Sequence, residues 1–158
     1  MSEPQANRGT AATALSQLQR VIDAPAALRA VAAAVQAATA LGVQVNVAVV
    51  DAAGVLAAFA RMPGAPLHSV DIAMDKAYTA TSFGLPTSQW HAVLQQHSAA
   101  VREGLVLRPR FVAFGGGLPI VEGGVRIGAI GVSGGSEAQD ETIACAGLQA
   151  LGLAPAGA

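Results

Sequence analysis

The chain has 158 residues, 53% hydrophobic and 12% charged, with a formal net charge of −1, which is the size of one domain with one core. The near-neutral balance and the lack of any basic block exclude nucleic acid and anionic membrane surfaces as expected partners. The charged share is about half that of an ordinary soluble domain, so part of the surface is expected to be covered by further copies of the chain, although alanine supplies much of the apolar share.

The first residues, Met1-Ser2-Glu3-Pro4-Gln5, carry no basic segment followed by an apolar run and no twin arginine. No export signal is read there, and a cytoplasmic setting is expected. The single cysteine, Cys145, has no internal disulfide partner and fits a reducing compartment. Residues 1–12 are small and polar and are expected to form a disordered tail. Residues 13–153 are expected to form one domain. A short helical piece is predicted over Leu15 to Ile22, and a second helix over Ala26 to Leu41. Leu28, Val31, Val35 and Leu41 give that helix one apolar side, and Gly42 is its stop. The alanine-rich run after Arg29 approaches the length of a membrane span. It carries Gln36 and Thr39 and ends at Gly42, so it reads as a soluble helix.

The period then changes. Val45, Val47 and Val49 alternate with Asn46, Ala48 and Val50, a largely buried strand. Asp51-Ala52-Ala53-Gly54 is a turn, and Val55 to Arg61 is a second strand that closes a hairpin. Residues 62–66 form a loop. A helix is predicted over Ser69 to Phe83, stopped by Gly84, and another over roughly Ser88 to His97. Phe111 to Phe114 reads as a short strand. Gly115-Gly116-Gly117 is a loop, Leu118 to Val121 follows, Glu122-Gly123-Gly124 is a turn, and Val125 to Ser133 is the longest late strand. Ser136 caps the last helix, with Gln139 placed for a capping box and Glu137, Asp140 and Glu141 in the first turn, where the helix dipole favours acids. The order predicts an α+β domain, an antiparallel sheet of about five strands flanked by helices.

Winding Ser69 to Phe83 at 3.6 residues per turn places Ser69, Ala73, Lys76, Ala80 and Phe83 on one stripe. Asp71, Asp75, Tyr78 and Ser82 fall opposite. Lys76 is the only lysine in the chain, and it sits among small and apolar residues. An inward lysine either snorkels to water or an acid, or lines a pocket with its ammonium aimed at an anionic or carbonyl ligand. Asp51 and Arg61 lie at strand ends, where they pair, or where Asp51 caps its own turn and Arg61 clamps a carboxylate. Gly115-Gly116-Gly117-Leu118-Pro119 lacks the spacing of dinucleotide and phosphate loops, yet its glycines permit close backbone approach. The late strand and its exit stay small through Gly128, Gly131, Gly134 and Gly135. The helix start after Gly135 is expected to offer free N–H groups to an anion. His68, His91 and His97 have no metal spacing, and no metal site is expected. His68, which begins the lysine helix, is the best candidate axial ligand for a haem. Met62, Met74, Tyr78 and Cys145 rank below it.

Five ordered segments resemble the GlcG/HbpS-like family, which also occurs as the C-terminal domain of PduO-type proteins. They are Val49 to Gly54, Arg61-Met62-Pro63-Gly64-Ala65, Ser69 to Ala80 around Lys76, Gly115 to Ile120, and Ile127 to Gly135 with Asp140 beyond. The resemblance covers about residues 28 to 151. It implies a profilin-like α+β fold and a homo-oligomer, a hexamer or octamer. For a ligand it implies a small molecule, with haem or another tetrapyrrole as the candidate cofactor. Pro63 departs from the acid usual at that place. Neither an export segment nor a fused adenosyltransferase domain is read beside it, so haem-sensing and cobalamin roles are not expected to transfer directly. Two functions are therefore weighed. One is a small-molecule-binding protein, with His68, Lys76, Gly115, Gly116, Gly117, Pro119, Gly134 and Gly135 at the ligand. The other is an enzyme acting on an anionic or oxo-acid metabolite, with Lys76 assisted by Asp51, Arg61, Glu137 or Asp140.

Overall fold

The structure is a computed structural model that describes residues 14–155; the tail expected over 1–12 lies outside them. Helix α1 spans Ala24–Ala40. Asp23 caps it by accepting the Ala26 N–H at 2.7 Å, and a proline opens its first turn. Strands β1 (Asn46–Asp51) and β2 (Leu56–Arg61) form the predicted hairpin. Helix α2 covers Ser69–Phe83, the predicted bounds, and ends on the left-handed Gly84. A 3-10 turn (Thr87–Gln89), α3 (Trp90–Gln95) and α4 (Ala99–Leu105) follow. Strands β3 (Gly117–Glu122) and β4 (Val125–Ser133) precede α5 (Glu137–Gln149), which carries the predicted Ser136–Gln139 capping box.

The strands form one antiparallel sheet in the order β2-β1-β4-β3. The period-two alternation of β1 decides the layering. Val47 and Val49, with Ile130 and Val132 of β4, enter a core shared with α1 and α5. Ala48, Val50 and Ala129 meet Ala73, Ala77 and Ala80 of α2 on the other face. That second contact is backbone against backbone: a Cβ at Gly131 would overlap the Ala73 carbonyl oxygen and lie 2.6 Å from the Ala77 nitrogen.

Among the described residues four strands are present where about five were expected. Residues 111–114 are irregular, and the Phe111 and Val112 N–H groups are committed outside any ladder. The Thr79 hydroxyl accepts the Val112 N–H at 3.1 Å and donates to the Arg110 carbonyl at 2.9 Å. Phe111 instead joins Phe83 and Trp90 in an edge-to-face aromatic cluster. The same cluster explains Phe83, which was expected on the buried stripe of α2 and is 51% exposed. No helix covers Leu15 to Ile22. Leu15 and Leu18 are fully exposed, so no apolar face supports one, and the Ile22 N–H donates to the Ile127 carbonyl. Helix α4 was not anticipated: it buries no residue, so no hydrophobic period marks it. Among the described residues no helix is long and apolar enough to cross a membrane.

Candidate functional site

Helix α2 lies across β4 and points Lys76 toward the start of α5. Its side chain is 1% exposed. Nζ donates to Asp140 Oδ2 at 2.8 Å and to the Val132 carbonyl at 2.8 Å, and it stands 5.0 Å from the centre of the Phe114 ring. Asp140 is as buried as its partner, and its Oδ1 accepts the Gly135 N–H at 2.9 Å. Burial pushes the Lys76 ammonium below its ordinary value of 10.5. The hydrogen bond and charge of Asp140, then the charges of Glu137 and Glu141, oppose that shift. The ammonium is therefore an inward charge neutralised by its own chain.

Gly116 makes this arrangement possible. It adopts φ +116°, and a Cβ there would stand 2.8 Å from Lys76 Nζ and 2.6 Å from the Val132 oxygen. Its neighbours hold the loop down. The Gly115 N–H donates to Glu137 Oε1 at 3.0 Å, and the Gly117 N–H donates to the Thr87 hydroxyl at 2.9 Å. At the start of α5 the Ser136 N–H donates to Gln139 and the Gln139 N–H donates to Ser136. Of the N–H groups expected to be free for an anion, those of Gly115, Gly117, Gly135, Ser136 and Gln139 are taken by the chain's own side chains.

Outside the Lys76–Asp140 pair lies a cavity of about 320 Å³, lined by Gly115, Glu137, Glu141 and Cys145 with Ser88 and Thr142. Glu137, Glu141 and Cys145 are spaced by four and so share a helix face. Glu141 accepts from the Ser88 hydroxyl at 3.1 Å. Burial and the Glu141 carboxylate push the Cys145 thiol above its ordinary 9.0. At about pH 8 we expect iodoacetamide to alkylate Cys145 several-fold more slowly than an unhindered cysteine, with Glu141→Gln closing part of the gap. Equal rates in the two proteins would remove Glu141 from this account.

The remaining predicted residues stand apart from this cluster. Asp51 caps its own turn, accepting the Ala53 and Val55 N–H groups at 2.8 and 3.0 Å. Arg61 pairs across the hairpin with Asn46, at the opposite end from Asp51, so the two do not meet. Its guanidinium instead braces the following loop through the Ala65 and Met62 carbonyls. Pro63 is exposed in that loop. Pro119 lies in the edge strand opposite Ala129. Gly134 packs against the Gln44–Val45 backbone. His68 is exposed at the start of α2, and its side chain caps nothing; His91 and His97 are exposed too. Sequence reasoning did not single out Thr87 or Glu141 as site residues. Glu141 was legible as the i+4 neighbour of Glu137; nothing local marks Thr87.

A family model described as haem degrading protein HbpS-like matches residues 22–149. Among curated relatives, the corrinoid adenosyltransferase PduO of Salmonella typhimurium is 38% identical over 121 residues, which is 77% of this chain and 36% of that protein. The chain thus spans about a third of that relative's length. Among solved structures, the Klebsiella pneumoniae protein ORFY is 33% identical with a TM-score of 0.82, over 90% of this chain and 98% of that one. A PduOC:heme complex is 35% identical with a TM-score of 0.76, over 82% of this chain and 94% of that one.

Proposed function

Because the chain belongs to the HbpS-like family, we propose that it is a small-molecule-binding protein whose ligand is haem or a related tetrapyrrole, and that it works as a homo-oligomer. The observation that carries binding over catalysis is the state of Lys76. An imine former or general base needs an accessible, uncommitted nitrogen, whereas this one is 1% exposed and held by Asp140 and Val132. The haem-bound relative at 35% identity supports the ligand class.

The residues present fit such a group at the start of α2. There the exposed His68 imidazole has no hydrogen-bond partner among the described residues, and Leu67 beside it is 77% exposed. An uncommitted imidazole next to bare apolar surface suits the iron and the edge of a macrocycle. His68 would hold the iron, and the bound haem would supply redox chemistry.

Titration with haemin, followed by gel filtration with in-line light scattering and absorbance detection, tests both parts. The expected result is a saturable Soret band that travels with a particle heavier than the 15.7 kDa chain. His68→Ala is expected to weaken haemin binding by about tenfold or more, near 1.4 kcal/mol. A band that never saturates would end the haem reading, and a 15.7 kDa particle would end the oligomer.

A further inference from the structure

A second cleft, of about 230 Å³, lies between the C-terminal half of α2 and the segment that follows α4. Its walls are the Phe83 and Phe111 rings, Leu105 and Pro109, with Arg108 and Arg110 also lining it. We propose that this cleft is a binding site for a small aromatic monocarboxylate, with the ring against Phe83 and Phe111 and the carboxylate on the two guanidiniums. The proposal goes beyond the tetrapyrrole reading and does not rest on it.

Arg110 carries the inference. It is the one non-glycine residue with positive φ, at 66°, among the described residues, a conformation that costs any residue bearing a Cβ. The surrounding structure holds it there: Thr79 grips the Arg110 carbonyl on one side and the Val112 N–H on the other. With this backbone turn the guanidinium lies over the Tyr78 ring, its Cζ 3.6 Å from the ring centre, and Nε donates to Asp75 at 2.8 Å. Ring and carboxylate together fix the plane of the fork. Its two terminal nitrogens have no protein partner among the described residues, and the side chain is 43% exposed. A planar fork fixed in advance with its outer donors free is matched to a carboxylate, which it meets through two parallel hydrogen bonds. Arg108 makes no ion pair among the described residues. Two guanidiniums against the single carboxylate of Asp75 leave one excess positive charge, the complement of a monoanion.

The walls set the rest of the ligand. Phe83 and Phe111, 6.0 Å apart and nearly perpendicular at 88°, give the cleft an aromatic lining for a flat guest. The volume is below the roughly 300–1,000 Å³ of sites for drug-sized ligands. It suits a one-ring acid and is too small for a macrocycle.

Trp90 is the only tryptophan and stands 4.7 and 4.8 Å from Phe83 and Phe111, so its fluorescence reports on the wall. Haem-free protein is titrated with phenylacetate, with phenylacetamide as the uncharged control and calorimetry as a second readout. The expected result is saturable binding of phenylacetate at about millimolar Kd or tighter. Binding should weaken about tenfold or more in Arg110→Asn, and the amide should bind at least that much more weakly. Asparagine tolerates positive φ, so this variant keeps the turn; if it fails to fold, Arg108→Gln alone is read for the same loss. No saturation by about 20 mM, equal binding of acid and amide, or full affinity in both arginine variants would each overturn the proposal. None of these readouts involves haemin, so failure here and failure of the tetrapyrrole reading are separate results.

Discussion

Replacing Lys76 by methionine is expected to lower folding stability by about 3–5 kcal/mol, measured from the midpoint and slope of urea unfolding. Methionine keeps the apolar stem and its packing, so the cavity left behind is small. What remains is the Asp140 carboxylate, sealed from water, with the Gly135 N–H as its hydrogen-bonding partner. A buried charge stripped of its counterion costs far more than the intact pair contributes. The decisive comparison is the double variant Lys76→Met with Asp140→Asn, which removes the charge and keeps an oxygen for the Gly135 N–H. We expect it to recover most of the loss. A single variant within about 1 kcal/mol of the parent would mean that water reaches the pair. A double variant as unstable as the single one would mean that packing, not charge, sets the cost.

Gly131→Ala is expected to cost at least the upper end of the roughly 1–3 kcal/mol that overpacking a core usually costs. The added methyl would overlap the Ala73 carbonyl and crowd the Ala77 nitrogen and Cβ. These are backbone and near-backbone atoms of a helix, so no side-chain rotation relieves the overlap. The helix must lift from the sheet, and Lys76, one turn along, would be drawn off the Val132 carbonyl it now holds. Gly104→Ala is the matched control. That glycine is in α4 and an added Cβ would meet nothing within 4 Å, so alanine there should be neutral or stabilising by about 0.5–1 kcal/mol. Similar stability changes in the two variants would refute close backbone approach as the reason for glycine at 131.

Patterns that burial imposes were legible in the sequence. The small stripe of α2 gave both its bounds and the inward direction of Lys76, because a helix packed backbone-close on a sheet tolerates only small residues along that face. Ser136 and Gln139 marked the start of α5 because capping is a local hydrogen-bond exchange. The expectation of an α+β domain is matched by an antiparallel sheet with helices on both faces. What failed depended on partners distant in sequence. Nothing near Gly115 says that its N–H will be taken by Glu137, and nothing near Gly117 points to Thr87. Residues 111–114 look like a strand until Thr79 takes the Val112 N–H and grips the preceding Arg110 carbonyl. Asp51 and Arg61 look like neighbours on a line, but the register sets them at opposite ends of the hairpin. The conformation of Arg110 has no signature at all, since arginine is not a residue that prefers positive φ.

The strand order β2-β1-β4-β3 also governs how the protein is made. The two central strands join residues 46–51 to residues 128–133, roughly eighty positions apart. At about 5–20 residues per second of synthesis, the first hairpin waits on the order of 4–16 s for its neighbour. Through that interval the inner edge of β1 is unpaired, and Val47 and Val49 lack much of the core that later covers them. Closing so long a loop must precede the contacts that reward it, which slows folding relative to a bundle of the same size. The nascent chain is thus most exposed to aggregation and proteolysis between the emergence of β2 and that of β4, and a ribosome stalled in that window would hold a half-sheet with no partner.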